Sequence, residues 1–255
     1  MTWTHQTAPL DETPPRPFEM RSAGRVQARL QLRTLPSLET LDYAGLCLSG
    51  REVGGDFYDF LTPRRGRLAL IVGDVSGKGV PAALMMAALQ ANLRSHYALS
   101  SNALECRIES VHRQFFECTA SQHYASLFVG EYDDASGRLR YVNCGHVPPL
   151  LLHDDCSVTR LDSTATVLGM FERWDGCVAE VTLARGDLLV LATDGILEAA
   201  DKDGEHFGET RLLSEIVKHR LLSPDRLIRT IVREIRAHEG DRQMDDQTLV
   251  VARVP

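Results

Sequence analysis

RLALIVGDVSGKGVPAALMMAAL, residues 67–89, holds the change of periodicity on which the fold turns. Leu68 to Val72 is a continuous apolar run, the pattern of a strand covered on both faces. Asp74 closes that run, Gly73, Gly77 and Gly79 punctuate a turn, and Pro81 stands where the first turn of a helix tolerates a residue without an N–H. The helix that follows, expected over 81–97, is apolar nearly all round (Ala82, Ala83, Leu84, Met85, Met86, Ala87), which predicts burial on several sides.

Outward from this unit, strands are expected over 44–48 and 67–72, and a second helix over 103–119 carries Leu104, Ile108, Val111 and Phe115 at spacings of three and four. Strands over 125–132 and 138–143 flank Asp133-Asp134-Ala135-Ser136-Gly137, a hairpin loop with glycine available for a positive φ. Further strands are expected over 150–152, 178–183, 188–192 and 248–251, with amphipathic helices over 212–219 and 224–238. Helices early and late around a central block of strands indicate an α+β class with helices outside packed sheets.

Four of the eleven prolines fall at Pro9, Pro14, Pro15 and Pro17, so residues 1–18 are expected to form a flexible tail. Residues 19–36 form a linker, helical over 19–35, with Met20, Ala23, Val26 and Leu30 as an apolar stripe beside Arg21, Arg25, Arg29 and Arg33. That stripe is expected to pack on the domain, on an activator protein or on a second copy of the chain. Residues 37–255 then form a single domain.

With 28 basic against 35 acidic residues, the net charge of −7 argues against general affinity for nucleic acid or for an anionic membrane. No apolar run approaches the roughly 18 residues of a membrane span, and the first ten residues lack a signal-peptide pattern, so a cytoplasmic location is expected. The six cysteines include no CxxC pair, which leaves zinc-ribbon and thioredoxin-like chemistry without a motif.

Acidic residues mark the ends of the strand-like runs. Asp56 follows two glycines in Val53-Gly54-Gly55-Asp56, Asp74 and Asp194 end apolar runs, and Asp245-Asp246 opens the last one. Carboxylates gathered in a cleft repel one another unless cations are supplied. An oxygen-rich set without paired His or Cys points to Mg²⁺ or Mn²⁺. Two similar-looking motifs fail: Gly73 and Gly77 enclose three residues where a Walker loop needs four, and Gly54-Gly55-Asp56-Phe57 lacks the Glu of the diguanylate cyclase signature.

The ordered series GREVGGDFYDF, VGDVSGKGVPAALMMA, NCGHVPPLL, LLVLATDGILEA and DDQTLVV resembles the bacterial PPM-class, type-2C-like serine/threonine phosphatases of the SpoIIE and RsbU group. The resemblance runs from Arg51 to Val251. It implies an α/β/β/α sandwich, two β-sheets flanked by helices, with two Mn²⁺ or Mg²⁺ ions at one end.

By that resemblance Asp74 bridges both ions with the Val75 carbonyl beside it, Asp194 and Asp245 are further ligands, and Asp56 binds directly or through water. Asp56, Asp74, Asp194 and Asp245 are therefore the catalytic set. The pattern favours Asp245 as the ligand and leaves Asp246 beside it as a supporting or alternative one. Gly55, Arg51 and His146 are candidates for substrate binding. Arg51 is open between clamping phosphate and an ion pair, and His146 between general acid work and a structural hydrogen bond. Lys78 is expected to be a solvated or helix-end charge.

The resemblance further implies that metal-activated water attacks a phosphoserine or phosphothreonine without a phosphoenzyme, the substrate being a phosphorylated anti-sigma-factor antagonist of the STAS type in a partner-switching pathway. Two other readings stand beside it, a catalytically weak phosphoprotein-binding regulator and a phosphatase of small phosphoesters. Residues 161–175, with Met170 and Trp174, are the candidate docking loop.

Overall fold

The computed structural model of the protein describes residues 17–31, 36–99, 102–119, 123–240 and 243–255. Residues 1–16 of the tail expected over 1–18 and the end of the first helix over 32–35 lie outside them, while Pro17 and Phe18 open the first helix instead of ending a tail. In chain order the elements are α1 (Pro17–Gln31), β1 (Asp42–Leu48), β2 (Phe57–Leu61), β3 (Arg67–Val75), α2 (Val80–Leu99), α3 (Leu104–Cys118), β4 (Ala125–Asp133) and β5 (Arg138–Cys144). They continue with β6 (Leu150–Leu152), β7 (Val158–Arg160), β8 (Ala179–Thr182), β9 (Leu188–Ala192), α4 (Asp194–Leu197), α5 (Gly208–His219), α6 (Pro224–Glu239) and β10 (Gln247–Arg253).

The strands form two five-stranded sheets, β1-β10-β9-β6-β7 and β2-β3-β4-β5-β8, and every pairing within them is antiparallel. Side-chain alternation along β3 and β10 builds the layers. Leu68, Leu70 and Val72 face Leu189, Leu191 and Val250 in the core between the sheets. Ala69 and Ile71 point the other way, onto Met86, Leu89 and Leu93 of α2 and Ile108 and Val111 of α3. On the far side Leu249 and Val251 pack on Ile228, Ile231 and Ile235 of α6. The result is the expected α/β/β/α sandwich, and the unbroken apolar run of β3 follows from having both of its faces covered.

Two expectations about helices are corrected. α2 is buried along one face only (Ala82, Met86, Leu89, Leu93, Tyr97), and Leu84 on its other side is 67% exposed. An outer-layer helix has a single sheet to pack against, and its surplus alanines make the opposite side look more buried than it is. On α1, Val26 of the expected stripe is 60% exposed and the buried residue is Gln27. The helix docks through polar contacts instead: Gln27 Nε2 donates to the Gly54 carbonyl at 2.8 Å, its Oε1 accepts from the Gly54 amide at 3.1 Å, and the Arg94 guanidinium on α2 donates to the Leu30 carbonyl. The short elements β2, β7 and α4 carry too few residues to show a period, and no sequence pattern announced them.

Candidate active site

β3 delivers Asp74 to one end of its sheet, and the loop between β1 and β2 brings Asp56 beside it. Asp56 is 2% exposed, and its Oδ2 accepts hydrogen bonds from the hydroxyls of Thr193 (2.7 Å) and Thr248 (2.8 Å). Those two residues sit at neighbouring ends of β9 and β10, where the Thr248 amide in turn donates to the Thr193 hydroxyl at 3.0 Å. Burial, then the Asp74 charge, pushes the Asp56 carboxyl well above the usual carboxylate range. Asp74 is hydrogen-bonded to Asp56 and raised to about 6, by burial first and then by Asp194 and Asp245. Asp194, the first residue of α4, is raised by burial, Glu198 and Asp245. The sheets thus bring together Asp56, Asp74, Asp194, Asp245 and Asp246, from four separate stretches of chain, into one field of mutual repulsion.

Asp245 and Asp246 do different things. Asp246 Oδ1 accepts from the Gly50 amide at 2.8 Å, and its Oδ2 from the amides of Gly55 (2.7 Å) and Asp56 (3.2 Å). Glycine is required at Gly54 and Gly195, where a Cβ would overlap the Asp246 carboxylate and its backbone carbonyl respectively. Asp245 faces outward, and its Oδ2 pairs with Lys78 Nζ at 2.7 Å. Lys78 is therefore no purely solvated charge; it supplies positive charge at the rim of the carboxylate cluster.

The remaining candidates surround this centre unequally. Gly55 accepts from the Val75 amide at 3.3 Å, and the Val75 carbonyl lies against the Gly55 Cα, where a Cβ would collide with it. Arg51 is exposed, with its guanidinium beside Gly79 in the turn after β3. His146 lies deeper, 3% exposed. Its Nδ1 shares a hydrogen with Ser126 Oγ at 3.0 Å, and Ser126 is the cross-strand partner of Asp74. Burial lowers the imidazole to about 4, so it is neutral near pH 7.

Among the described residues, no three His, Cys, Asp or Glu side chains form a ready-made cage for an ion. The donor set nonetheless fits Mg²⁺ or Mn²⁺, hard ions that keep several waters and take only one or two carboxylates each. Oxygen is the donor throughout, and the raised carboxyls mark an excess of negative charge that a cation would relieve.

Residues 64–255 match the family of Stage II sporulation protein E (SpoIIE), a span that includes Asp74, Asp194 and Asp245. The chain belongs to the SpoIIE family. Among curated proteins this SpoIIE-family chain is 28% identical to Protein IcfG of Synechocystis, covering 91% of the chain and 41% of that protein. It is 24% identical to the phosphoserine phosphatase RsbU of Bacillus subtilis, covering 92% of the chain and 70% of RsbU. The chain thus spans about two fifths of IcfG and more than two thirds of RsbU. The SiaA-PP2C domain of Pseudomonas aeruginosa superposes with a TM-score of 0.80 at 22% identity, over 93% of this chain and 96% of that one. The fold is that of a PP2C phosphatase domain.

Sequence reasoning passed over Thr193, Thr248, Glu198 and Gln27 in this SpoIIE-family site. Thr193 and Thr248 had a usable signal, since each lies one or two residues from a candidate aspartate at the end of an apolar strand. Thr193 also stands at the N-cap of α4, yet its hydroxyl caps nothing there and is directed to Asp56. Gln27 lies in a distant helix and gave no signal.

Proposed function

We propose that this domain is a metal-dependent protein phosphatase acting on phosphoserine or phosphothreonine. The observation that carries the reading is the convergence of Asp56, Asp74, Asp194 and Asp245 at one end of the sandwich, where the Asp56, Asp74 and Asp194 carboxyls are raised by burial and by neighbouring carboxylates. Asp74, Asp194 and Asp245, with Asp56 and the Val75 carbonyl, would hold two Mn²⁺ or Mg²⁺ ions. The occupation of both Asp246 oxygens by backbone amides supports Asp245 as the direct ligand and Asp246 as the residue that holds the loop in place. When bound, such ions supply a water of lowered pKa and neutralise phosphoryl charge.

The chain's own groups do the rest. Thr193 and Thr248 fix the Asp56 carboxylate in one orientation, and Arg51 at the rim presents a forked donor suited to phosphoryl oxygens. His146, neutral and enclosed, holds the β4 end of the sheet through Ser126. Residues 37–255 would form the catalytic unit, with α1 as an attached element.

The substrate is proposed to be a phosphorylated STAS-type anti-sigma-factor antagonist, a reading supported by similarity to RsbU. Leu168 pairs with Ala125 and Ala125 with Val75, which puts the 161–175 loop about two strand spacings, or ~10 Å, from the Asp74 end of the sheet. Trp174 packs against the core, so Met170 and Phe171 are the exposed apolar residues of this docking loop. Among the described residues no helix is long and apolar enough to cross a membrane.

The test is phosphate release from a phosphorylated STAS protein, a phosphopeptide and an aryl phosphate, each with Mn²⁺, Mg²⁺ or chelator. Metal-dependent release with highest kcat/KM on the folded phosphoprotein is expected. Equal kcat/KM on the aryl phosphate would replace the reading with a small-phosphoester phosphatase, and tight binding without release would replace it with a phosphoprotein-binding regulator.

A further inference from the structure

The start of β3, at the opposite end of the strand from Asp74, opens on a cavity of about 220 Å³ lined by Arg64, Arg67, Arg107 and Arg140 against a single carboxylate, Glu131. Two of these arginines have partners in place. Arg107, its side chain 4% exposed, pairs with Glu131, donates to the Asn102 carbonyl at 3.0 Å and lies 4.2 Å over the Tyr97 ring. Arg67 pairs with Asp133 at 2.8 Å. Arg140 stands opposite Glu131 on β4 and Glu180 on β8 in the strand register. Glu131, however, is taken by Arg107 and the Tyr97 hydroxyl, and Glu180 pairs with Arg138 at 3.4 Å. Among the described residues, neither the Arg140 nor the Arg64 guanidinium makes a hydrogen bond or an ion pair. Ala103 and Leu104 complete the wall at the N-terminus of α3, where the N-cap side chain makes no hydrogen bond, so the first-turn amides add positive potential on the same side.

We propose that this cavity binds the phosphate group of a small soluble anion, inorganic phosphate, pyrophosphate or a nucleoside triphosphate, through the guanidinium groups of Arg64 and Arg140. Like charges gathered around a part-buried cavity repel one another, and an oxyanion relieves that repulsion as a cation does for carboxylates. Guanidinium forks match phosphate oxygens two at a time. A structural role accounts for Arg67 and Arg107, whose carboxylate partners are in place, and for neither Arg64 nor Arg140. Because the whole chain carries a net charge of −7, its overall field does not gather anions, and affinity here comes from the local donors. The cavity is small beside the roughly 300–1,000 Å³ of pockets that enclose drug-sized ligands. It suits one or two phosphoryl groups, and a nucleoside would extend outside it. Arg67 and Asp74 lie on the same strand, roughly 23 Å apart at the rise of an extended chain. The site is thus separate from the carboxylate cluster, needs no metal, and does not depend on the reaction proposed above.

The experiment is calorimetric titration of the full chain, stripped of metal with chelator and dialysed free of it, with inorganic phosphate, pyrophosphate and ATP at constant ionic strength. Saturable one-to-one binding of pyrophosphate without metal is expected. Loss of one charge-assisted hydrogen bond weakens binding by roughly tenfold or more, and a loss of that size is expected for Arg140→Gln and for Arg64→Gln. No change is expected for Arg226→Gln on the exposed side of α6. ATP binding as tightly as pyrophosphate assigns the site to the phosphate chain alone, and tighter ATP assigns it to a nucleotide; either result supports the proposal. No saturable binding of any of the three anions, or wild-type affinity in both lining variants, overturns it. Should the variants fail to fold, phenylglyoxal labelling of the wild type read by mass spectrometry decides. Pyrophosphate shields Arg64 and Arg140 but not Arg226 if the proposal holds, and labelling unchanged by pyrophosphate at all three overturns it. A phosphopeptide that binds the metal-free chain where pyrophosphate does not would overturn it in favour of a protein-docking surface.

Discussion

The carboxylate of Asp246 accepts the backbone amide of Gly55 at 2.7 Å across 191 residues of sequence. This bond, with those to Gly50 and Asp56, ties the start of the last strand to the loop carrying the first aspartate. Charged hydrogen bonds of this kind are worth about 1.5–3 kcal/mol each, and removing one partner exposes the desolvation cost of the other.

Asp246→Asn should therefore destabilise the metal-free protein by about 2–3 kcal/mol, because an amide nitrogen then faces one of the backbone donors. Urea unfolding in chelator measures it. A variant as stable as wild type would show that the loop holds itself.

Asp74→Asn and Asp194→Asn should act in the opposite direction on stability, each abolishing turnover while leaving the metal-free fold intact. Asp74 is raised from 3.8 to about 6, so the folded chain holds this proton more tightly than the unfolded chain. The resulting stabilisation is complete below pH 3.8 and is lost as pH rises through about 6. In chelator, wild type should thus lose about 1–3 kcal/mol relative to Asp74→Asn between pH 4 and pH 7, and excess Mn²⁺ should restore it. A stability difference that does not vary with pH would count against the repulsive cluster.

His146→Gln separates two roles. With the imidazole lowered to about 4 by burial, the protein gains stability from a neutral His146 above pH 6.5 and loses it as pH falls toward 4. Activity near pH 7 should survive the substitution with an unchanged pH–rate profile, and only stability should fall. A drop of roughly 10²–10⁴ in kcat would instead mark a general acid.

Lys78→Met removes the half-exposed partner of Asp245. Exposed pairs contribute about 0.2–1 kcal/mol, so freeing Asp245 should tighten Mn²⁺ binding by at most roughly fivefold. Weaker Mn²⁺ binding in the variant would contradict competition between lysine and metal for this carboxylate.

The site was legible in proportion to how local its signals are. Asp74, Asp194 and Asp245 stand at the ends of apolar runs, so their placement follows from strand periodicity alone, and their chemistry from residue type. The family pattern already favoured Asp245 as the ligand over Asp246, but the contacts of Gln27 and the three amides that Asp246 accepts were not legible, because nothing in the neighbouring residues records which backbone amide a side chain will meet.

By itself the sequence determined the layered α+β class, most strands and the long helices, and the set of aspartates that share one end of the sheets, because nearest-neighbour burial patterns encode these. Only the tertiary structure decided that α1 docks through Gln27 rather than through its apolar stripe, that α2 is buried on one face, that Asp246 points inward and Asp245 toward Lys78, and that His146 is enclosed. Each of those depends on surfaces brought together from distant parts of the chain, where the need to pair every buried polar group outweighs the preference of the local segment.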